Sequence, residues 1–182
     1  MFNSWCIKQK FNNATNLSHV LMDGGVLSVP FDKLNEFHEK YIEAVRAGEK
    51  LFVVEQKSPT YNFFVDIDYK DEKALTIEEI QDICKIICDK VKRHGGKECL
   101  ICVAPPKKSG TLIKTGIHLN WSGFVVNQSS ALALREHILV ALSMARGSTD
   151  WNDIIDSSVY GNLTRKTKGS GLRMPWSYKL AK

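Results

Sequence analysis

One stretch near the middle of the chain, residues 61–69, limits most strongly what this sequence can fold into. Its residues alternate with a period of two, which predicts a β-strand. Val65 and Ile67 occupy one face, while Asp66 and Asp68 share the other. Residues on one face of a strand lie about 6.5–7 Å apart, so two carboxylates can hold one divalent cation or a pair. The alternative is a strand that runs out into solvent at an acidic turn.

A second alternating stretch, residues 113–121, carries a different set of polar groups. Its polar face presents Lys114, Gly116 and His118 in a row. A cation, a residue without a side chain and an imidazole suit a phosphate chain that lies close over the backbone. For His118 taken alone, a hydrogen-bonded structural histidine is the alternative.

The composition is that of one compact domain, or of one domain with a small appendage. The chain has 182 residues, of which 43% are hydrophobic, so it can bury a sizeable core. Lys8 and Lys10 interrupt the N-terminal stretch, which argues against a signal peptide. No apolar run approaches the roughly 18 residues of a membrane span. We therefore expect a soluble, intracellular protein that does not associate with membranes.

The net charge of +5 is modest, but the charges are distributed unevenly. No acidic residue lies between Glu98 and Glu136, and none follows Asp156. Such basic runs usually form a solvated face, yet here they bracket the acidic strand, which fits a polyanion delivered to metal-binding carboxylates. The cations in these two regions are Lys107, Lys108, Lys114, Arg135, Arg165, Lys166, Lys168, Arg173, Lys179 and Lys182.

The spacing of the cysteines allows a zinc site, but their predicted positions argue against one. Five cysteines in a chain that we expect to be intracellular argue against a disulfide framework. Cys84 and Cys88, followed by Cys99 and Cys102 with His94 between the pairs, have a spacing that zinc sites also use. The first pair falls on the apolar stripe of a predicted helix and the second in a predicted buried strand. Packing as small hydrophobic residues explains them, so we expect no structural zinc.

From residue 61 onward, the predicted elements follow the order strand, helix, strand, strand, helix, strand. The first helix begins at a capping box of Thr76 and Glu79, and the last strand is predicted over residues 154–160. This order is that of the split βαβ, or ferredoxin-like, fold of the α+β class, with both helices on one face of the sheet. Its first and third strands are central neighbours, which would bring the acidic strand beside the histidine strand.

The remaining segments are predicted to form a small N-terminal α/β extension, residues 1–60, packed on a core of residues 61–182. In the extension, residues 1–29 are interpreted as an irregular lead-in, followed by a helix after Pro30 and a strand over residues 51–55. In the core, we expect a turn at Ser122-Gly123 and further strand material over residues 172–180.

With these residues assembled, the chain resembles the archaeo-eukaryotic primase and primase-polymerase superfamily over about residues 61–180. Three ordered motifs carry the resemblance: Asp66-Ile67-Asp68, Gly116-Ile117-His118 and Asp156-Ser157-Ser158-Val159-Tyr160. Gly116 replaces the usual serine, which is similar to the viral branch. The chain most resembles the N-terminal primase domain of poxvirus-like, large-DNA-virus primase-helicases. It contains no Gly-x4-Gly-Lys-Ser/Thr motif, so a helicase module is expected beyond Lys182, and the chain end resembles a truncation.

The resemblance implies template-directed nucleotidyl transfer that makes primers on single-stranded DNA for viral genome replication. It implies a two-metal site for Mg²⁺ or Mn²⁺, with a helicase module in the same full-length chain, in the host cytoplasm or nucleus. The metal ligands would be Asp66, Asp68 and Asp156, with His118 as a further catalytic residue. The nucleoside triphosphate would contact Lys114, Gly116, His118, Arg173 and Lys179. Nucleic acid would contact Lys107, Lys108, Arg165, Lys166 and Lys168.

Several alternatives stay open at this point. Asp156 is preferred as the third acid over Asp150 and Asp153 because it lies in a β-branched and aromatic run that can enter the sheet. Arg173 and Lys179 could instead belong to an ordinary basic edge strand. A ferredoxin-like sheet can also be a non-catalytic, RRM-like module that binds single-stranded nucleic acid, and a metal-dependent nicking endonuclease is a third possibility.

Overall fold

The computed structural model of the protein describes residues 1–147 and 149–180. The chain is mixed α+β, as the sequence predicts, and it divides into two compact units. One unit contains residues 1–58 together with the C-terminal segment from Ser170, and the other contains residues 59–169. The proposed core boundary at Lys182, and that residue's charge, lie outside the described residues. Within them, no helix is both long and apolar enough to cross a membrane.

The first unit packs two helices and a small antiparallel sheet around an aromatic core. The order of strands across this sheet is β2 (Val26–Leu27), β1 (His19–Leu21), β3 (Val53–Glu55) and β8 (Leu172–Arg173). Phe2 packs against Phe37 and Tyr41, and the Tyr41 hydroxyl donates a hydrogen bond of 2.7 Å to the carbonyl of Pro175. The elements are α1 (Phe2–Lys8), β1 (His19–Leu21), β2 (Val26–Leu27), α2 (Leu34–Arg46, after a 3-10 turn at Phe31–Lys33), β3 (Val53–Glu55) and β8 (Leu172–Arg173).

Two expectations for this unit are wrong. Residues 1–29 are not an irregular lead-in, because Phe2 and Cys6 lie one helical turn apart and bury the same face of α1. The strand predicted over residues 172–180 is limited to β8. Pro175 has no N–H for a sheet ladder, and Trp176 has a φ of 60°, which no strand residue adopts. The C-terminal segment from Ser170, which the sequence places in the core, belongs to the N-terminal unit.

A buried histidine makes the first unit sensitive to acid. His19 is 2% exposed and packs against Phe37, with ring centroids 4.5 Å apart. Its Nδ1 lies 2.9 Å from the Ser18 hydroxyl, whereas its Nε2 is buried without a hydrogen-bond partner among the residues described. Burial, assisted by the charge of His38, lowers the pKa of His19 to about 4.

We expect His19→Asn to flatten the acid dependence of stability. Because the pKa in the folded state lies below the ordinary 6.5, the unfolded state binds more protons between these values, and stability falls as the pH falls through this window. Between pH 7 and pH 4 the native protein should lose roughly 3 kcal/mol more than the variant. Urea unfolding at both pH values measures this. An equal acid loss in His19→Asn and in a control, exposed His137→Asn, would contradict the prediction.

The second unit is built on one long strand, β7 (Leu112–Asn127), which pairs antiparallel with three others. Strand β7 lies between β4 (Thr60–Asp71) and β5 (Leu100–Val103) in the sheet. Strand β6 (Lys107–Ser109) forms a hairpin with the start of β7. Helix α4 contacts β4 and β7 and packs along α3. The elements are β4 (Thr60–Asp71), α3 (Ile77–Lys92), β5 (Leu100–Val103), β6 (Lys107–Ser109), β7 (Leu112–Asn127), α4 (Gln128–Arg146) and α5 (Trp151–Ile154).

The predicted alternation of β4 and β7 is confirmed. Val65, Ile67, Ile117 and Leu119 are all 0% exposed and line the face that the helices cover. The capping box of α3 is also present, since the Thr76 hydroxyl accepts from the Glu79 N–H and the Glu79 side chain accepts from the Thr76 N–H. The apolar phase of each strand therefore turns its polar residues to the opposite face.

The sequence predicts a turn at Ser122-Gly123. The chain does not reverse there, and β7 continues to Asn127. The register of β4 and β7 shifts between Asn62 and Phe64, and the extra residues of β7 form an irregularity there. Gly123, with a φ of 76°, donates its N–H to Asn62 Oδ1 at 3.1 Å. A side-chain acceptor and a glycine conformation together let the strand bend instead of reversing.

The last predicted strand, residues 154–160, is also wrong in extent. Only Ile155 pairs with β4, through a single bridge to Ile67, and Ser157 to Tyr160 form a turn. This segment is held by Arg135, whose side chain is 3% exposed. Its Nε and Nη2 donate to the Ile155 carbonyl at 3.0 and 2.7 Å, and Nη2 also donates to the Asn152 carbonyl at 2.8 Å. Arg135 is therefore a structural clamp and not part of a basic surface.

We expect Arg135→Met to destabilise the protein by about 2–4 kcal/mol, because the buried Ile155 carbonyl loses both of its Arg135 donors and the part-buried Asn152 carbonyl loses one. Arg146→Met is the matched control on the same helix, since Arg146 is exposed and makes a peripheral ion pair with Asp82 at 3.9 Å. That change should stay within about 0.5 kcal/mol. Chemical denaturation measures the free energy of unfolding of both variants. Equal losses of stability would show that the buried contacts of Arg135 add nothing beyond those of an exposed arginine on the same helix.

Candidate active site

The register of β4 and β7 places the predicted site residues in rows on the exposed face of the sheet. Asp66 lies opposite His118, and Asp68 lies opposite Gly116. Directly opposite residues of antiparallel strands point to the same face. The structure thus brings together residues that are separated by about fifty positions in the sequence.

The carboxylates of Asp66 and Asp68 both contact a basic side chain. His118 Nε2 lies 3.4 Å from Asp66 Oδ1, and the Lys114 ammonium forms an ion pair with Asp68 Oδ2. The four side chains are between 16 and 33% exposed, so they are reachable by a ligand but only partly solvated. Partial burial strengthens the electrostatic interactions of the face compared with a fully solvated surface.

Asp156 joins the same face from the other side of β4. Its N–H donates to the Asp66 carbonyl at 3.0 Å, next to the Ile67–Ile155 bridge. Since both isoleucines are buried, alternation directs Asp156 to the face of Asp66. Its carboxylate accepts from the N–H and the hydroxyl of Ser158 at 2.8 and 2.9 Å. Asp150 is the N-cap of α5 and Asp153 lies within that helix, so neither takes the position that Asp156 has beside Asp66.

Tyr160 fixes the turn that follows Asp156. It is fully buried, stacks on Phe63 and Phe64, and donates its O–H to the Phe64 carbonyl. Burial raises the pKa of the Tyr160 phenol well above its usual range, and the charges of Asp66 and Asp156 act in the same direction. The phenol therefore stays protonated as a hydrogen-bond donor. Neither sheet pairing nor sequence periodicity would have identified this role.

Gly116 is not required by the fold. A Cβ at this position would lie 3.8 Å from the Ala104 Cβ and 4.0 Å from Asp68 Oδ1, which are ordinary van der Waals distances. Neither Ala104 nor Asp68 would have to move for a small side chain. The packing of this face therefore does not explain the glycine, which leaves the backbone of β7 uncovered at this position.

The predicted nucleic-acid contacts lie on one exposed loop of this unit and on strand β6. Arg165, Lys166 and Lys168 occupy a loop that is closed by a bridge between Asn162 and Thr167. Its ends, Gly161 and Gly169, have positive φ angles, and a Cβ on Gly161 would lie 2.1 Å from the Thr167 carbonyl oxygen. A Cβ on Gly169 would likewise lie 2.5 Å from the Val159 carbonyl oxygen. The basic loop is thus anchored directly after the segment of Asp156.

The other predicted basic residues are distributed differently. Lys107 lies opposite Lys114, so it belongs to the face of the carboxylates, whereas the next residue, Lys108, points to the other face. Arg173 lies in β8 of the first unit, where its Nη1 donates to the Ser177 carbonyl at 3.2 Å, and Lys179 follows in the same unit. Sequence reasoning missed Lys70, which lies opposite Lys114 and continues the period of two after Asp66 and Asp68.

The cysteines do not converge on a site. Cys6 and Cys84 are buried, and the thiols of Cys88 and Cys99 share a hydrogen bond that lowers the pKa of Cys88. Within residues 1–147 and 149–180, no group of three or more His, Cys, Asp or Glu side chains is arranged to hold a metal ion. This holds for the cysteines and also for the three aspartates in their present conformation.

The donor set of the sheet face nevertheless has the right chemistry for a hard divalent cation. Asp66 and Asp68 offer carboxylate oxygens from one face of one strand, and Asp156 lies across from Asp66. Mg²⁺ and Mn²⁺ prefer such oxygen ligands. The ammonium of Lys114 shows that a positive charge is already accommodated against Asp68.

One comparison with known proteins bears on this face. A family model, described as the C962R protein N-terminal AEP domain, matches residues 18–166, where AEP denotes archaeo-eukaryotic primase. This range contains Asp66, Asp68, His118 and Asp156, and it confirms the resemblance that the motifs indicate. No curated protein matches the chain.

We expect Asp156→Asn to stabilise the metal-free protein by about 0.2–1 kcal/mol, because like charges directly opposite each other in a sheet repel. Asparagine keeps an oxygen that can accept from the Ser158 N–H. The control is Asp153→Asn at an exposed position of α5, which should leave stability unchanged. Urea unfolding in EDTA measures both. A destabilised Asp156→Asn would mean that the Ser158 contacts outweigh the repulsion.

Proposed function

We propose that this chain, which belongs to the family of C962R-type N-terminal archaeo-eukaryotic primase domains, is the nucleotidyltransferase domain of a DNA primase or primase-polymerase. Its reaction would be template-directed primer synthesis on single-stranded DNA during viral genome replication. The observation that carries the proposal is the convergence of Asp156, Asp66 and His118 in one row, with Asp68 and Gly116 in the next. Those are the residues of the three motifs.

The carboxylates are proposed to hold the metal ions. Two Mg²⁺ or Mn²⁺ ions bound by Asp66, Asp68 and Asp156 would activate the attacking 3′-hydroxyl and stabilise the leaving pyrophosphate. The fold contributes the placement of the carboxylates. Asp66 and Asp68 belong to β4, which pairs with β7 along most of its length, while Asp156 depends on one backbone hydrogen bond and on the Arg135 clamp.

Lys114 and His118 are proposed to bind the incoming triphosphate. Each contacts a carboxylate in the structure, so a bound nucleotide would offer phosphate oxygens as new partners. Gly116 lies between them on the same face and leaves the backbone accessible. The triphosphate would then lie along β7, over the glycine.

The template is proposed to follow the basic loop of Arg165, Lys166 and Lys168, with Lys108 as a further contact. Lys107, which the sequence also assigns to nucleic acid, lies beside Lys114 on the face of the carboxylates, and we assign it to the nucleotide instead. Loop cations suit a phosphodiester backbone, which needs positive charge but little geometric precision. Arg173 and Lys179 stay proposals as nucleotide contacts. The same applies to a ferredoxin-like core, which the path Ile155-β4-β7-β5 supports, and to a helicase module in the full-length chain.

A non-catalytic, RRM-like module is less well supported. Such modules stack bases on exposed aromatic side chains. On the polar face of β4, Phe64 is 5% exposed and is covered by Tyr160. The face offers carboxylates where that function needs accessible rings.

We expect the protein to synthesise new oligonucleotides from a single-stranded DNA template, nucleoside triphosphates and Mn²⁺, and not to cleave the template. Asp66→Asn and Asp156→Asn should abolish synthesis and reduce the thermal stabilisation that Mn²⁺ provides. His118→Ala should lose synthesis but keep the Mn²⁺ response, because it is assigned to phosphates. Gel analysis of products and thermal shifts measure these effects.

Asp153→Asn is the control for this experiment and should retain activity. If Asp153→Asn is inactive while Asp156→Asn is active, the third carboxylate is misassigned. If the wild type cleaves the template or binds DNA without any Mn²⁺-dependent synthesis, the proposed reaction is wrong.

A further inference from the structure

Three lysines lie side by side across the sheet, next to the proposed active site. Lys114 of β7 is opposite Lys70 of β4 on one side and opposite Lys107 of β6 on the other. Opposite residues share a face, and the ion pair of Lys114 with Asp68 shows that this is the face of the carboxylates. We call Lys70, Lys114 and Lys107 the lysine row.

The lysine row is an unfavourable arrangement for an isolated sheet. Opposite residues of neighbouring strands are about 4.5–5.5 Å apart, and like charges in such positions destabilise the pairing. Here the same conflict occurs twice along one row. Lys70 and Lys107 are both exposed, so no requirement of the core explains them. Asp68 offsets the charge of Lys114, and a bound polyanion would add attraction across the whole row.

The position of the row indicates which part of a ligand it would meet. Along β4 and β7, the order is the row of Asp66 and His118, then the row of Asp68 and Gly116, then the lysine row. Successive rows are separated by two residues, or about 7 Å. A nucleotide with its reacting phosphate at the carboxylates and its chain over Gly116 would bring its terminal phosphates to the lysines.

We propose that Lys70 and Lys107 extend the nucleotide site on either side of Lys114 and bind the terminal phosphates of the incoming nucleoside triphosphate. This inference rests on the proposed nucleotidyltransferase function. A triphosphate concentrates several negative charges within the width of the row, whereas a template strand spreads single charges along its length. The lysine row therefore selects triphosphates over monophosphates, and the loop of Arg165 remains the template contact.

The test compares the affinities of a nucleoside triphosphate and of the matching monophosphate by calorimetry, at fixed Mn²⁺ and ionic strength. Lys70→Gln and Lys107→Gln should each weaken triphosphate binding about tenfold, the lower end of the scale for a hydrogen bond to a charged group. Monophosphate affinity should change less than about twofold. Single-stranded DNA affinity, measured by fluorescence anisotropy without nucleotide, should be unchanged.

Two controls remove the same charge from exposed positions outside the row. Lys92→Gln changes a residue at the end of α3, and Lys73→Gln changes a residue just beyond β4. Neither should alter triphosphate affinity. Equal losses in the controls would reduce the effect to net charge and overturn the proposal. A loss of DNA affinity in Lys70→Gln or Lys107→Gln, with triphosphate affinity intact, would assign the row to the template and overturn it as well.

Failure of this inference is distinguishable from failure of the proposed function. If Lys70→Gln and Lys107→Gln synthesise primers with the wild-type KM for nucleotide, the lysine row is misassigned while the primase function stands. If both variants lose triphosphate affinity selectively but the wild type makes no product with any template, the row binds triphosphates and the reaction is wrong.

Discussion

The site depends on the hydrophobic burial of one face of β4 and β7. Four central side chains of that face, Val65, Ile67, Ile117 and Leu119, are 0% exposed. Each contributes about 1.5–3 kcal/mol by leaving water. A slip of one residue would turn a whole strand's set to solvent, so the register has no competitor of similar energy. The charged residues between them are held on the opposite face by hydrocarbon packing, not by their mutual attraction.

This explains why the centre of the site could be predicted from the sequence. The alternation of each strand shows which of its residues face the core, and the order of the elements makes the two strands neighbours. Together these place Asp66 beside His118 and Asp68 beside Lys114 without any knowledge of side-chain contacts. The same logic extends to Lys70, whose position opposite Lys114 follows from the period of two, one step beyond Asp68.

The edges of the unit could not be predicted in the same way, because local polar contacts override periodicity there. Residues after Ile155 have strand-forming side chains, but the Asp156 carboxylate bonds to Ser158 and closes a turn. Arg135 has the charge of a surface residue, and only the position of the Ile155 carbonyl explains its burial. Ser122-Gly123 has turn composition, yet the pairing on both sides of it keeps the chain extended.

The shared strand also limits how such a site can change during descent. Because β7 pairs with β4 on one side and with β5 and β6 on the other, one inserted or deleted residue between Lys114 and Leu119 would exchange core and site faces against three partners at once. Point substitutions carry no such penalty on the exposed face. Lineages built on this sheet would therefore diverge in site chemistry by replacing residues in place, while gaps and insertions accumulate in its connecting loops.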